Sequence, residues 1–358
     1  MEKDFTQVDK KRLILFALVA YGITFLMMIP MYIGKGMGLD LNQVVTAQML
    51  SPAAAVALGY LIFLKDEKLV PKLFMRVLVI NYLIMLATAL LSIFAVPFRV
   101  STVYGGQTAG NIYMRILQFS TYFCSLLIWI SYFVSRRKKR KFAGLSRRKE
   151  LKGIILVLIF AVLDILCAAG PVYIKGLFDG LLTSYRNQIG RAFEFVDLKR
   201  TVLLLPVSYL VSVAMFIGEE YGWRFYLQPL LQKRFGKRLG IILLGLAWSL
   251  WHIPADIFTR SGPSIPQLIV LRVISCVFGG IILGWAYMKT GNIWVTVCMH
   301  FLNNTIRPIV DWIISYISNS APQDSWLSVA LAFVVEFLFF GLFIFTKEFR
   351  EPGKARKR

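Results

Sequence analysis

The sequence predicts an all-α fold, a polytopic transmembrane helical bundle of about ten spans with both termini in the cytoplasm. Three observations carry this expectation. The 358 residues are 57% hydrophobic and only 17% charged, with a mean hydropathy of +0.65, which excludes an ordinary soluble multidomain protein. Apolar runs of spanning length recur along the chain, bounded by charges or turn residues. Lys and Arg, taken loop by loop, gather on one side of the resulting topology.

The runs fall near 13–33, 43–64, 75–96, 112–135, 153–174, 201–219, 239–254, 267–288, 293–316 and 327–346. The first follows Lys10, Lys11 and Arg12 and ends before Lys35. It is longer than a signal-peptide core, and MYIGKG offers no good small-x-small cleavage site, so it reads as a membrane anchor. The second run lies between Asp40 and Lys65, the third between Arg76 and Arg99, and the fourth ends at Arg136. The fifth runs from Lys152 to Lys175, the sixth from Arg200 to Gly218, and the seventh from Arg238 to Pro254. The eighth stops at Lys289, the ninth opens after Gly291 and Asn292, and the tenth ends at Lys347.

With the N-terminus inside, 29 of the 41 Lys and Arg residues lie on the inner side and 9 on the outer side or its helix ends. Arg224, Arg272 and Arg307 fall within or beside spans. This is the retention of positive loops in the cytoplasm, and it accounts for the net charge of +22 without nucleic acid. The densest run, RRKKRKFAGLSRRKELK, reads as an inner loop against anionic headgroups, because no aromatic interleaving or recognition fold accompanies it. It separates an N-terminal region of about four spans, 1–152, from a six-span region, 153–346, which is followed by a basic cytoplasmic tail, 347–358. The basic tails and short loops suggest a bacterial cell membrane.

Cys124, Cys167, Cys276 and Cys298 stand in separate spans with no C-x-x-C pair, so they read as space-filling thiols, not a disulfide framework or a zinc site. No internal repeat, phosphate loop or H-E-x-x-H is present.

The polar residues inside the apolar runs are the informative ones, since ionisable groups at membrane depth are costly to desolvate. The stretch GEEYGWRFYLQPL places Glu219, Glu220 and Arg224 directly after the sixth run. On an α-helix Glu220 and Arg224 are spaced for an ion pair, while Glu219 points about 100° away. The chain has only two histidines, His252 and His300, and both lie in spans. His300 and Asn304 share a helix face. Counted from Lys233 and Arg238, Glu219 and His252 each lie about 21 Å above the inner surface. Counted from Lys289, His300 and Asn304 lie about 16 and 22 Å above it. Three helices thus deliver a carboxylate, two imidazoles and an amide to nearly one depth. A carboxylate beside a histidine can take a proton from water, and a histidine with an amide can hold an oxyanion. Ser249 and Cys298 are nearby and spacing alone leaves them open as nucleophiles. Pro229 is expected to bend the helix below Glu219.

At these residues the sequence resembles the CPBP intramembrane proteases, also called the Abi or CAAX-protease and bacteriocin-processing family. EEYGWR matches E-E-x-x-x-R, His252 stands where F-x-x-x-H ends, and HFLNN matches H-x-x-x-N. The resemblance is closest over about 201–310, and SPAAAVALGYLIF at 51–63 is similar to the family's N-terminal span. Trp248 departs from the phenylalanine of the second motif. The resemblance implies a metal-independent intramembrane endopeptidase in which Glu219 with His252 activates water and His300 with Asn304 stabilises the oxyanion. It implies supporting roles for Glu220 and Arg224, with Trp248 as an aromatic platform. The expected partners are a peptide or membrane-anchored protein substrate and membrane lipids, with no nucleic acid and no cofactor.

A zinc-dependent version of the same hydrolysis stays open, since two histidines and a carboxylate can hold zinc. So do a non-catalytic scaffold or sensor and a transporter. Asp164, Asp256, Arg272, Arg307, Asp311 and Glu336 are charged and near spans and receive no chemistry, and only Asp164 and Glu336 look deep. Trp223, Trp248, Trp251, Trp285 and Trp294 are expected to be mostly lipid-facing or interfacial.

Overall fold

The computed structural model describes residues 6–94, 112–181, 198–260, 264–318 and 325–351. Arg99, Arg186, Arg191 and the tail beyond Glu351 lie outside them. Every regular element among the described residues is helical. The longer ones, in chain order, are α1 (Gln7–Gly36), α2 (Asn42–Phe63), α3 (Lys72–Phe94), α4 (Ile112–Val134) and α5 (Glu150–Phe178). They continue with α6 (Lys199–Phe235), α7 (Lys237–Thr259), α8 (Ile265–Thr290), α9 (Ile293–Ser318) and α10 (Trp326–Phe339).

Over their described residues the apolar runs of the sequence coincide largely with these helices, the tenth only in part. Among the described residues, α1 to α3 and α5 to α8, seven in all, are long and apolar enough to cross a membrane. The tenth run differs from its expectation for a physical reason. Its α-helix has only 14 residues, about 21 Å at the α-helical rise, and the chain then tightens into a 3-10 turn over Gly341–Phe345.

The chain forms two compact units. The first comprises Met1–Ser146, Pro206–Gly222 and Pro254–Arg260. Its centre is α2, whose Ala53, Ala54, Ala55 and Ala57 are almost fully buried, because side chains this small let neighbouring helices close in. Pro52 sits in the first turn of Ser51–Phe63, where its missing N–H costs little. Gly218 and Gly222 meet α2 at that point. A Cβ on Gly218 would lie 2.5 Å from the Met49 carbonyl oxygen, and one on Gly222 would collide with the Pro52 side chain and stand 3.0 Å from its backbone. GEEYG is therefore a G-x-x-x-G contact, in which α6 approaches the α2 backbone directly. Tyr221 seals the same region, donating its hydroxyl to the Ala143 carbonyl at 2.9 Å and meeting Phe74 edge-on at 6.1 Å.

Gly222→Ala is expected to destabilise the protein by about 1 to 3 kcal/mol, since neither proline nor backbone can yield easily. An unchanged thermal unfolding midpoint in detergent would contradict this packing.

The second unit comprises Arg147–Leu205, Trp223–Ile253 and Ser261–Arg358. Helix α5 is packed through glycines: a Cβ on Gly153 would lie 2.6 Å from Val295 of α9, and one on Gly170 would lie 2.9 Å from Val335 of α10. Gly245 of α7 does the same against Val277 of α8, at 2.5 Å from its Cα. Only Gly236 separates α6 from α7, and its φ of 81° is a positive value that glycine adopts without steric cost.

The polar ends of this unit tie it together. Glu351 accepts from the Lys237 backbone N–H at 2.6 Å and so caps the start of α7. Glu348 accepts from the Trp285 indole at 3.2 Å and pairs with Lys289 at 3.5 Å. Burial pushes the Glu348 carboxyl up. Its own backbone N–H, the Trp285 N–H and the Lys289 ammonium outweigh that and hold it below the ordinary carboxylate range. Asn292 receives the Trp294 N–H at 3.1 Å and donates to the Arg148 carbonyl at 2.9 Å, which docks the end of the basic loop on the α8–α9 turn.

Candidate active site

Glu219 and Glu220 end the α-helical part of α6. Both are buried, at 1% and 0% exposure, in the first unit. The next seven residues, Tyr221–Leu227, form a π-helix, and α-helix resumes at Gln228 with Pro229 in its first turn. A widened turn thus stands directly ahead of Pro229. Proline has no N–H to return to the Phe225 carbonyl and crowds that oxygen, which accounts for the placement. Across a π turn the backbone bonds run from i to i+5, and residues four apart still share a face of the helix, so the widening leaves Glu220 and Arg224 on one side of α6. π turns of this kind occur often at functional sites.

The second unit gathers the other charged and imidazole groups around tryptophan. Helix α7 contributes Trp248, Trp251 and His252, α9 contributes His300, and the π turn contributes Trp223 and Arg224. The Arg224 guanidinium lies over the Trp248 ring, 4.2 Å from its centroid, and Arg224 is 0% exposed. Both histidines meet that same indole, His300 edge-on at 5.5 Å and His252 tilted at 5.8 Å. Trp251 flanks His252 at 4.7 Å and is itself met edge-on by Trp223 at 5.5 Å. His300 is buried and His252 half-buried. Quadrupolar edges and faces of this kind fix ring orientation, and a desolvated guanidinium over an indole contributes about 2 kcal/mol.

Arg224, Trp248, His252 and His300 therefore form one cluster. Asn304, one turn beyond His300, is exposed. The Ser249 hydroxyl donates to the Leu246 carbonyl at 2.8 Å. The four cysteines are free thiols, and Cys124, Cys167 and Cys276 are buried. Among the described residues, no three His, Cys, Asp or Glu side chains lie close enough to hold a metal ion.

The tryptophans correct a sequence expectation. Trp223, Trp248, Trp251 and Trp285 are buried, at 0%, 7%, 1% and 8% exposure, where lipid-facing positions were expected. Their signal was present in the spacing: Trp248 precedes His252 by one helical turn, so a face that is polar at one position is inward at the other. The G-x-x-x-G of GEEYG is likewise legible in the sequence. Asp164, Arg307 and Glu336 join in an ion-pair network, which no spacing along one helix could announce.

Comparison with known proteins bears on the same segment. Residues 201–306 match the family described as type II CAAX prenyl endopeptidase Rce1-like. The chain is 35% identical over 107 residues to CAAX prenyl protease 2 of Methanococcus maripaludis, covering 28% of this chain and 39% of that protein's length. No solved structure gives a significant match. All three motif positions, Glu219 to Arg224, His252 and His300 to Asn304, lie inside the matched stretch, so over residues 201–306 the chain is similar to the type II CAAX prenyl endopeptidase Rce1-like family.

Proposed function

We propose that the protein is an intramembrane endopeptidase whose water is activated by Glu219 with His252 and whose oxyanion is held by His300 with Asn304. The observation that carries this is the meeting of His252 and His300, 48 residues apart, on one Trp248 indole within the matched domain. In this mechanism the water oxygen attacks the peptide carbonyl carbon while its proton passes to the Glu219 carboxylate. The oxyanion that forms is met by donors from His300 and Asn304. Glu219 then returns the proton to the departing amine as the C–N bond breaks. Glu220 and Arg224 support the site, Arg224 by its seat on Trp248.

The proposed topology is ten spans with both termini in the cytoplasm, from the loop charge bias. The proposed substrate is a peptide or membrane-anchored protein. A prenylated CAAX-type terminus heads the candidates, because the matching family and relative both bear that name.

The test is cleavage of a fluorogenic farnesylated CAAX peptide by the full chain in sealed vesicles. Products are identified by mass, with and without a chelator. Release of the C-terminal peptide that persists after chelation is expected. Stoichiometric zinc with loss of activity would transfer the mechanism to the zinc-dependent form. Flux of intact peptide across the vesicle would point to transport, and neither flux nor cleavage to a scaffold.

A further inference from the structure

We propose that Arg307 is a positioning residue for the His300–Asn304 face of α9. The proposal rests on the proteolytic reading above and extends it to a residue outside the family motifs. Its basis is a weakness in α9 and the way neighbouring helices compensate for it. Pro308 lies inside α9, so the Asn304 carbonyl has no N–H from residue 308 to accept, and the proline ring crowds that oxygen. The turn that carries Asn304 is consequently the least self-supporting part of the helix.

The residue next to that proline is tied down from two sides. Arg307 Nε donates to Asp164 Oδ1 of α5 at 3.0 Å, and its Nη1 donates to Glu336 Oε1 of α10 at 3.0 Å. Asn303 adds a second bond from the same turn, donating Nδ2 to Asp164 Oδ1 at 2.8 Å. Ser275 of α8 donates to Glu336 Oε1 at 3.3 Å, so a fourth helix of the same unit joins. Asp164 is 0% exposed and Glu336 4%. Bonds among buried charges are short-range and directional, and removing one partner leaves the others uncompensated. Seven residues after His300, Arg307 returns to nearly the same angular position about two turns along. The pin thus fixes the rotation of the face that presents His300 and Asn304.

A rigid planar fork bonded to two helices suits orientation better than a mobile ammonium. A purely structural ion pair would be replaceable by neutral groups of similar volume with no effect on turnover. A positioning pin would not.

The experiment compares the wild-type chain in vesicles with the triple variant Arg307→Met, Asp164→Asn, Glu336→Gln, which removes all three charges together, and with Arg307→Lys, which keeps the charge. Two readouts are taken: kcat and KM on the farnesylated CAAX peptide, and hydrogen exchange of the backbone amides over 301–307. The expected result is a kcat at least tenfold lower with KM within twofold in the triple variant, an intermediate loss in Arg307→Lys, and faster exchange over 301–307 in both. A folded triple variant with kcat within twofold of wild type would overturn the proposal. If the triple variant does not fold, Arg307→Lys decides by the same two measures. If the wild-type chain cleaves nothing, the proteolytic reading has failed, and exchange alone judges the pin: faster over 301–307 sustains it and unchanged exchange overturns it.

Discussion

Glu219→Gln is expected to lower the rate of peptide cleavage by about 10²- to 10⁴-fold, the usual contribution of a general base, with little change in thermal stability. Gln has nearly the volume of Glu and keeps a carbonyl oxygen as acceptor, but it cannot take a proton from water. Glu219 is 1% exposed, so a structural carboxylate there would behave differently, losing stability together with activity. Glu220→Gln supplies the contrast, because Glu220 is assigned a supporting role: stability should fall more than the rate per folded molecule. Cleavage by the purified Glu219→Gln protein at more than a tenth of the wild-type rate would remove Glu219 from the mechanism.

Trp248→Ala is expected to produce the largest combined loss. The indole is 7% exposed, so truncation to Ala costs about 3 to 5 kcal/mol in a core that cannot fully collapse. The Arg224 guanidinium loses the ring beneath it, and both histidines lose the surface they share. Folded yield should drop sharply, and the fraction that folds should turn over substrate poorly, since His252 and His300 then lose their common contact. Trp248→Phe keeps an aromatic face and restores the residue typical of the family's second motif. It should fold and cleave, with a lower KM for substrates carrying bulky side chains if the larger indole narrows the adjoining space. A fully stable Trp248→Ala protein with wild-type kcat would show that this indole organises nothing.

Much of this protein is decided by one-dimensional information. Bilayer thickness and the cost of unsatisfied backbone in lipid are constraints that act along the chain, so composition and spacing were enough to read an all-helical chain, seven of whose described helices are long and apolar enough to cross a membrane. The candidate site was legible for a related reason. An ionisable group in an apolar run is conspicuous against its background, and the chain's only two histidines both stand in such runs.

What the sequence could not decide is where helix geometry departs from the ideal and which helix meets which. The π turn over Tyr221–Leu227 interrupts the α-helical run ahead of Pro229, which lacks the N–H that the Phe225 carbonyl would otherwise accept. The inward placement of Trp223, Trp248 and Trp251 depends on neighbours from other helices, because tryptophan is equally at home at a membrane interface or in a core. Asp164, Arg307 and Glu336 are 143 and 29 residues apart along the chain and bond only because α5, α9 and α10 pack side by side. Burial of a charge is legible from one helix. Its partner is a property of the tertiary structure, since a buried charge is stabilised by whichever opposite charge the packing brings within bonding distance.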